Sequence, residues 1–469
     1  MKNKKNPKPQ LHLNALYLTG LIILSLAIPS FAQTNWVPLF NGNDLSAFEK
    51  RKGTAEYKVD GNEVIGISKL GSPSTYLCTK KRYSDFILEV DVKIDMGLNS
   101  GIQFRSNSIE TYKNGDVHGY QAEIDVSDRK WSGGIFDQSR RGWIYPVTMN
   151  KPGQEAFQNG AWNKYRIEAV GNSIRTWVNG VQVTNLVDDM TAEGFIALQV
   201  HSIKKNKECD GLQVHWRDAR ILTDDLEGNR WPVADHATEF SHLKNELIPS
   251  EIRKGWRFLW DGKTTEGWRG AKSDKFPEFG WEIKEGVLSV LESGGAESRH
   301  GGDIVTKDKF SNFELELEFN ITPGANSGIK YFVDTDLNKG AGSSIGCEFQ
   351  ILDNKLHPDA KKGVSGNRTV GSLYDLITAT SYSEPTKTRP VNPGTWNKAR
   401  IVVKGSHVEH YLNNIKVVEY DRHSQMFKAL VAYSKYAKYE GFGQVAEGRI
   451  LLQDHGNTVS YRSIKIREF

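Results

Sequence analysis

The feature that most constrains this chain is an internal repeat. Trp36 to Gly42 is echoed by Trp256 to Gly262, Tyr57 to Gly61 by Trp281 to Gly286, and the block from Thr79 to Ile102 by the block from Thr306 to Ile329. Within those blocks Phe86, Leu88, Val90, Val92 and Ile94 recur at every second position, as do Phe313, Leu315, Leu317, Phe319 and Ile321. Both blocks end in Asn-Ser-Gly-Ile, at Asn99 to Ile102 and Asn326 to Ile329. Further on, Trp162-Asn163-Lys164 leads to Asn179-Gly180, and Trp396-Asn397-Lys398 leads to Asn413-Asn414. These dipeptides suit a type I′ hairpin, whose two central residues need positive φ. Ala197 to His201 then matches Leu451 to His455, and each copy closes on an alternating strand, Leu212 to Ile221 and Val459 to Ile466.

A repeat of this kind means that one supersecondary plan is built twice. Apolar residues at every second position lie on one face of a strand, and such runs separated by Gly, Asn and Asp turns predict an all-β protein of sandwiches. About 200 residues per copy exceeds an immunoglobulin-type sandwich and suits a jelly roll. A chain of 469 residues also fits two domains of ordinary size. The expected organisation is a signal peptide over 1–32, a first jelly roll over 33–222, a linker over 223–252 and a second jelly roll over 253–469. The linker carries a helical expectation over Glu239 to Glu246 and is placed to pack against both domains.

The signal peptide is read from Lys2, Lys4, Lys5 and Lys8, the apolar run Ala15 to Ile28 and the small residues of Ser30-Phe31-Ala32. The run is shorter than the roughly 20 residues that span a bilayer, and nothing later is long and apolar enough to cross. Export to the periplasm or cell surface is the expectation, with no membrane span after cleavage. Three cysteines, Cys78, Cys209 and Cys347, leave at least one unpaired and form no zinc signature; a Cys78–Cys209 bridge is the one pairing within a copy. The 61 basic and 57 acidic residues are mixed along the chain, so no basic stripe predicts a nucleic-acid partner.

The candidate site begins on the strand Gly346 to Asn354. Cys347, Phe349 and Ile351 point to one side, and Glu348 and Gln350 to the other, with a turn expected at Asp353-Asn354. The counterpart strand Gly119 to Asp125 places Gln121, Glu123 and Asp125 on its polar face. The two polar faces are expected to be the floors of two clefts.

Gly302 to Lys307, Gly324 to Gly328, Glu348 to Asn354, Gly371-Ser372-Leu373-Tyr374 and Leu452 to Gly456 together resemble the 3-keto-disaccharide hydrolase domain family. The resemblance spans nearly the whole mature chain as two copies. In the first copy Leu-Gln-Asp-His-Gly has become Leu198 to Ser202, and the Glu and Gln of the central strand are exchanged. It implies two tandem concanavalin A-like, laminarinase-like jelly rolls and cleavage of glycosides whose sugar carries a ketone at C3. Such a ketone acidifies the C2 proton, so a carboxylate or histidine can remove it while donors hold the enolate oxygen and the C1 substituent leaves. A 3-keto substrate in turn implies a separate sugar 3-oxidoreductase.

Glu348 and His455 are the candidate bases and Asp353 the third catalytic candidate; Gln350, Tyr374, Gln453 and Asn326 are candidate substrate ligands in the second domain. Asp454 points away from Gln453 and His455 in a strand. In the first domain the candidates are Gln121, Glu123, Asp125, Gln199 and His201, with Arg140 and Trp143 as cleft lining and Trp143 as a sugar-stacking ring. Glu123 to Asp128 also resembles the catalytic strand of family 16 glycoside hydrolases, with Asp128 one methylene short of the usual glutamate. A direct glycosidase in the first domain and a non-catalytic, lectin-like tandem are therefore the alternatives. The sequence requires no cofactor. A divalent metal is the one it is equipped to hold, on His201 with Glu123 or on His455 with Glu348 and Asp353.

Overall fold

The structure, a computed structural model, describes Met1 and residues 35–385 and 388–469. The expected signal segment thus lies outside the described residues beyond Met1. Among the described residues no helix is long and apolar enough to cross a membrane. The contacts divide the chain into Met1–Asn35 and Trp36–Phe469, and both copies of the repeat belong to the second unit.

Each copy folds into a sandwich of two sheets, antiparallel but for one short parallel pair at an edge of the first. In the first, a nine-stranded sheet containing Phe86–Ile94 faces a seven-stranded sheet containing Thr75–Thr79, Phe195–Val200, Asn99–Ser108 and Val117–Asp125. In the second, an eight-stranded sheet containing Phe313–Ile321 faces five strands, ordered Trp268–Gly270, Ile304–Thr306, Arg449–Leu452, Asn326–Asp334 and Ile345–Leu352. The every-second-residue sets at Phe86 to Ile94 and Phe313 to Ile321 are buried between the sheets. Each such side chain contributes about 1.5–3 kcal/mol on leaving water. Both hairpins have the expected turn, with φ of 49° and 81° at Asn179 and Gly180 and of 51° and 66° at Asn413 and Asn414.

The intervening positions of the long strand are charged and matched. Glu314 pairs with Arg400 and Arg467, Glu316 with Lys398 and Lys465, and Glu318 with Arg462. The three glutamates are buried, and the connecting segment lies over the Glu316 pairs: Lys398 Nζ donates to the Ser241 carbonyl at 2.6 Å, and Glu251 also pairs with Lys465. From the first sandwich, the Ile144 carbonyl accepts from Asn414 Nδ2 at 3.3 Å and meets His242 Nε2 at 3.2 Å.

Two expectations are corrected. The segment expected to be helical over Glu239 to Glu246 forms instead the short strand Phe240–Ser241, paired in parallel with Leu186 and Val187. The helix comes later, at Pro249–Arg253, where proline suits the first turn. An open sheet edge offers the backbone partners that so short a helix does not. The Cys78–Cys209 bridge is absent: all three cysteines are free and buried.

A polar network also crosses the second core. His410 Nδ1 donates to the Gly371 carbonyl at 3.1 Å, and its Nε2 accepts from the Tyr331 hydroxyl at 2.7 Å, an arrangement that needs the neutral ring. Burial pushes the imidazole down to about 4 despite the Gly371 carbonyl. Unfolded chain takes up this proton near 6.5 and folded chain only near 4, so the His410 contribution is complete above 6.5 and falls as the pH drops through that window. Between pH 7 and pH 5 the wild-type chain is expected to lose about 2 kcal/mol more stability than His410→Gln. Urea unfolding at the two pH values measures this, and equal losses would refute it.

Candidate active site

The floor of the second cleft follows from strand pairing. Gly328 lies opposite Gln350, and Lys330 opposite Glu348. A Cβ on Gly328 would sit 2.1 Å from Glu348 Oε1, so the glycine of Asn-Ser-Gly-Ile is needed for the carboxylate to lie across the neighbouring strand. Glu348, Gln350, Asn326 and Gln453 are all buried on this floor. Gln350 Nε2 donates to Asn326 Oδ1 at 3.0 Å, and Gln453 Nε2 donates to Glu297 Oε1 at 3.0 Å. Two polar atoms remain buried without partners, Gln350 Oε1 and His455 Nδ1.

Together with Glu297, His357, Asp359, Lys362, Tyr374 and Lys435, these residues enclose a cleft of about 170 Å³. The Glu348 carboxylate accepts no hydrogen bond among the described residues, and its nearest cation is Lys330 Nζ at 3.8 Å from Oε2. Burial pushes the Glu348 carboxyl above its ordinary value, opposed by Lys330 and Lys435. Lys435 is an exposed residue whose ammonium lies 4.2 Å from the Tyr374 ring centre, and desolvation there holds it below the ordinary lysine value. The Tyr374 hydroxyl donates to Asp359 Oδ2 at 2.7 Å, and burial with this contact raises the phenol well above its usual range. His357 and His455 pack edge to face at 5.9 Å, and burial beside His455 lowers His357.

Asp353 takes no part in this convergence. Its Oδ2 accepts from Gly324 N at 2.9 Å and its Oδ1 from Lys355 N at 3.0 Å, so it fixes the turn that ends the central strand. Asp454 likewise serves backbone, accepting from Gly302 N and Gly456 N.

The first copy keeps the frame and changes the charges. Gly101 lies opposite Glu123 and Gln103 opposite Gln121, which sets Gln103 where the second copy has Lys330 and Gln121 where it has Glu348. Gln121 pairs with Phe136 as Glu348 pairs with Tyr374. Ammonium, carboxylate and phenol have thus become amide, amide and phenyl. Glu123 corresponds to Gln350 and accepts from Asn99 Nδ2 at 2.7 Å and from Gln121 Nε2 at 2.7 Å. Arg129 lies over it at 3.4 Å, ties to Asp125 at 2.8 Å, and stands 4.8 Å from both the Trp131 and Trp143 rings. Burial nevertheless pushes Glu123 up to about 7.

Trp143 is therefore packed against Trp131, Phe136 and Arg129 and is buried, so it does not offer a free stacking face. Arg140 is engaged with Asp137 at 2.6 Å and Thr191. Gln199 donates to Tyr76 at 3.2 Å, and His201 is exposed with Nδ1 near the Ser202 carbonyl. Asp128 lies exposed beyond the strand's end at Asp125, outside the alternation a Glu123–Asp128 carboxyl pair requires.

Three connections explain the difference. Residues 353–372 in the second copy stand where 126–134 stand in the first, 422–448 where 188–194 stand, and 291–303 where 68–74 stand. The longer versions carry His357, Asp359 and Lys362, then Lys435, then Glu297. Sequence alternation missed all five because loops have no period. Lys330 was legible, since Asn326, Gly328 and Lys330 fall on one strand face.

The expected three-residue set of His455, Glu348 and Asp353 does not gather its ligand atoms. Among the described residues, the group of three or more His, Cys, Asp or Glu with ligand atoms within 4.8 Å of one another is His407, Glu409 and Glu419. It lies on the outer sheet, and Lys416 already pairs with both of its glutamates.

The 3-keto-alpha-glucoside-1,2-lyase-like domain family matches residues 35–222 and again 255–467. A 3-keto-disaccharide hydrolase of Bacteroides thetaiotaomicron is 37% identical over 233 residues, which are 45% of this chain and 78% of that protein. A solved structure from Parabacteroides distasonis ATCC 8503, assigned as a glycosyl hydrolase, is 27% identical, covering 48% of this chain and all of that one with a TM-score of 0.42. A second from the same strain, with the same assignment, is 25% identical over 46% of this chain and 99% of that one, at a TM-score of 0.34.

Proposed function

The chain belongs to the 3-keto-alpha-glucoside-1,2-lyase-like domain family and carries two copies of the domain, and from that premise we propose that it cleaves 3-keto-glycosides in the cleft of the second copy. The observation that carries this reading is Glu348: a buried carboxylate without a hydrogen bond, raised above its ordinary value, on a floor it shares with Lys330 and Lys435. A general base of this kind is tuned toward the pH at which it works.

In the proposed reaction Glu348 takes the C2 proton, and the C2–H electron pair forms the enolate of the C3 ketone. The ammonium groups of Lys330, buried beside Glu348, and of Lys435, on the exposed side of the cleft, lower the energy of that oxyanion. The enolate then collapses to the ketone, the C1–C2 double bond forms and the C1–O bond breaks. The aglycone leaves with a proton, for which the newly protonated Glu348, at the edge of the cleft beside Lys330, is the donor we assign; His455, whose Nδ1 has no partner, faces the sugar. Water added across C1 and C2 completes net hydrolysis. Asn326, Gln350 and Gln453 hold sugar hydroxyls, and Asp353 is a positioning residue.

The first copy is proposed as a scaffold without this chemistry, because Gln103, Gln121 and Phe136 replace the three reactive groups and Arg129 covers Glu123. The test is aglycone release from an aryl 3-keto-glucoside and from the matching ordinary glucoside. Release from the keto form alone is expected. Equal release from both would replace C2 deprotonation with direct glycosidic cleavage, and binding of both without release would favour a lectin.

A further inference from the structure

The cleft continues past the sugar-sized pocket. Glu297 and Lys435 also line a second lobe of about 260 Å³, whose other walls include Lys330, Asn338, Lys438 and Tyr439. Glu348 lines the first lobe and its partner Lys330 the second, so this ion pair stands at the junction. A glycoside whose C1–C2 bond is held at Glu348 would send its aglycone into the second lobe.

The charges of this lobe do not balance. Glu297 is its one acid and already accepts from Gln453. Lys435 and Lys438 make no ion pair among the described residues; Lys435 rests on the Tyr374 ring, and the Lys438 ammonium lies 5.1 Å from the Tyr439 ring. On the adjoining wall Arg299 is likewise unpaired among the described residues. These three cations stand exposed around the mouth of the lobe, while the buried Lys330 beneath them is matched by Glu348. Unmatched cations gathered around a concave lobe concentrate a positive potential there.

We infer that this lobe is a leaving-group subsite for an anionic aglycone, one bearing a carboxylate, sulfate or phosphate. The inference rests on the 3-keto-glycoside reading for its substrate and adds the charge of the leaving group. The depressed Lys435 agrees with it, since an arriving anion relieves the cost of burying that ammonium.

Two aryl 3-keto-glucosides with leaving groups of equal acidity, one carrying a ring carboxylate and one the carboxamide, test it on the full chain. The carboxylate is expected to have about tenfold higher kcat/KM, mostly through KM, with the advantage shrinking as salt rises. In the double variant Arg299→Ala/Lys438→Ala the ratio is expected to approach one. Equal kcat/KM for the two substrates in the wild-type chain would overturn the inference. Should neither turn over, the reaction reading fails on its own, and calorimetric titration of Glu348→Gln with the two ordinary aryl glucosides decides the lobe. Tighter binding of the carboxylate sustains it there, and equal binding overturns it.

Discussion

Glu348→Gln is expected to reduce aglycone release from a 3-keto-glucoside by about 10²–10⁴-fold, the usual contribution of a positioned base. The amide keeps the shape and lies on a floor that already accommodates an amide in the first copy, at Gln121. Folding should therefore survive, and circular dichroism and the unfolding midpoint serve as controls. The matching change in the other copy, Glu123→Gln, is expected to alter turnover less than about twofold. The pair of variants separates the two clefts: a loss confined to Glu123→Gln would move catalysis to the first copy. The pH profile gives a second reading. A base must be ionised, and burial raises Glu348, so kcat/KM should climb with pH through an apparent value above 4.5. A climb centred at or below 4.5 would remove Glu348 as the base.

Glu316→Ala is expected to cost roughly 3–5 kcal/mol of stability, the penalty for stranding buried charges. Lys398 Nζ and Lys465 Nζ lie 2.9 and 3.0 Å from Glu316 Oε1, and all three side chains are buried beneath the connecting segment. Burial alone would raise the carboxyl; the two ammonium groups outweigh it and hold Glu316 far below the ordinary range. Its contribution is accordingly present at neutral pH and is lost as the pH falls below about 4.5. Denaturant unfolding measures the loss, and a change below about 1 kcal/mol would show that the pairs are solvated. A quadruple replacement, Glu316→Leu with Lys398→Met, Lys465→Met and Glu251→Gln, is expected to recover most of the loss, because Glu251, the other partner of Lys465, is neutralised with it and no charge is left stranded.

The two sandwiches were legible because a period of two writes itself into every strand. Phe313 to Ile321 could be assigned to a buried face, and Asn413-Asn414 to a turn, from residue type alone. Glu348, Gln350 and Asn326 were legible for the same reason, as polar residues on a strand facing the cleft, and Gln453 follows directly on the end of one. Lys435, His357 and Glu297 were not, since what brings them to Glu348 is the path of long connections, which no alternation records. Trp143 misled because a tryptophan beside arginines fits a sugar platform and an Arg129 clamp equally well in sequence; only the packing separates them. The Phe240–Ser241 strand was missed because its partner, Val187, lies far back in the chain.

That short strand bears on how the protein can be divided. It covers the Leu186–Val187 end of the outer edge of Val181–Val187, whose backbone would otherwise be open there to another chain. A fragment cut at the end of the repeat, after Leu222, would carry an unprotected edge and tend to associate through it. A stable first half needs to extend through the residues that follow Ser241, so the piece that joins the two halves is also what makes one of them a finished object.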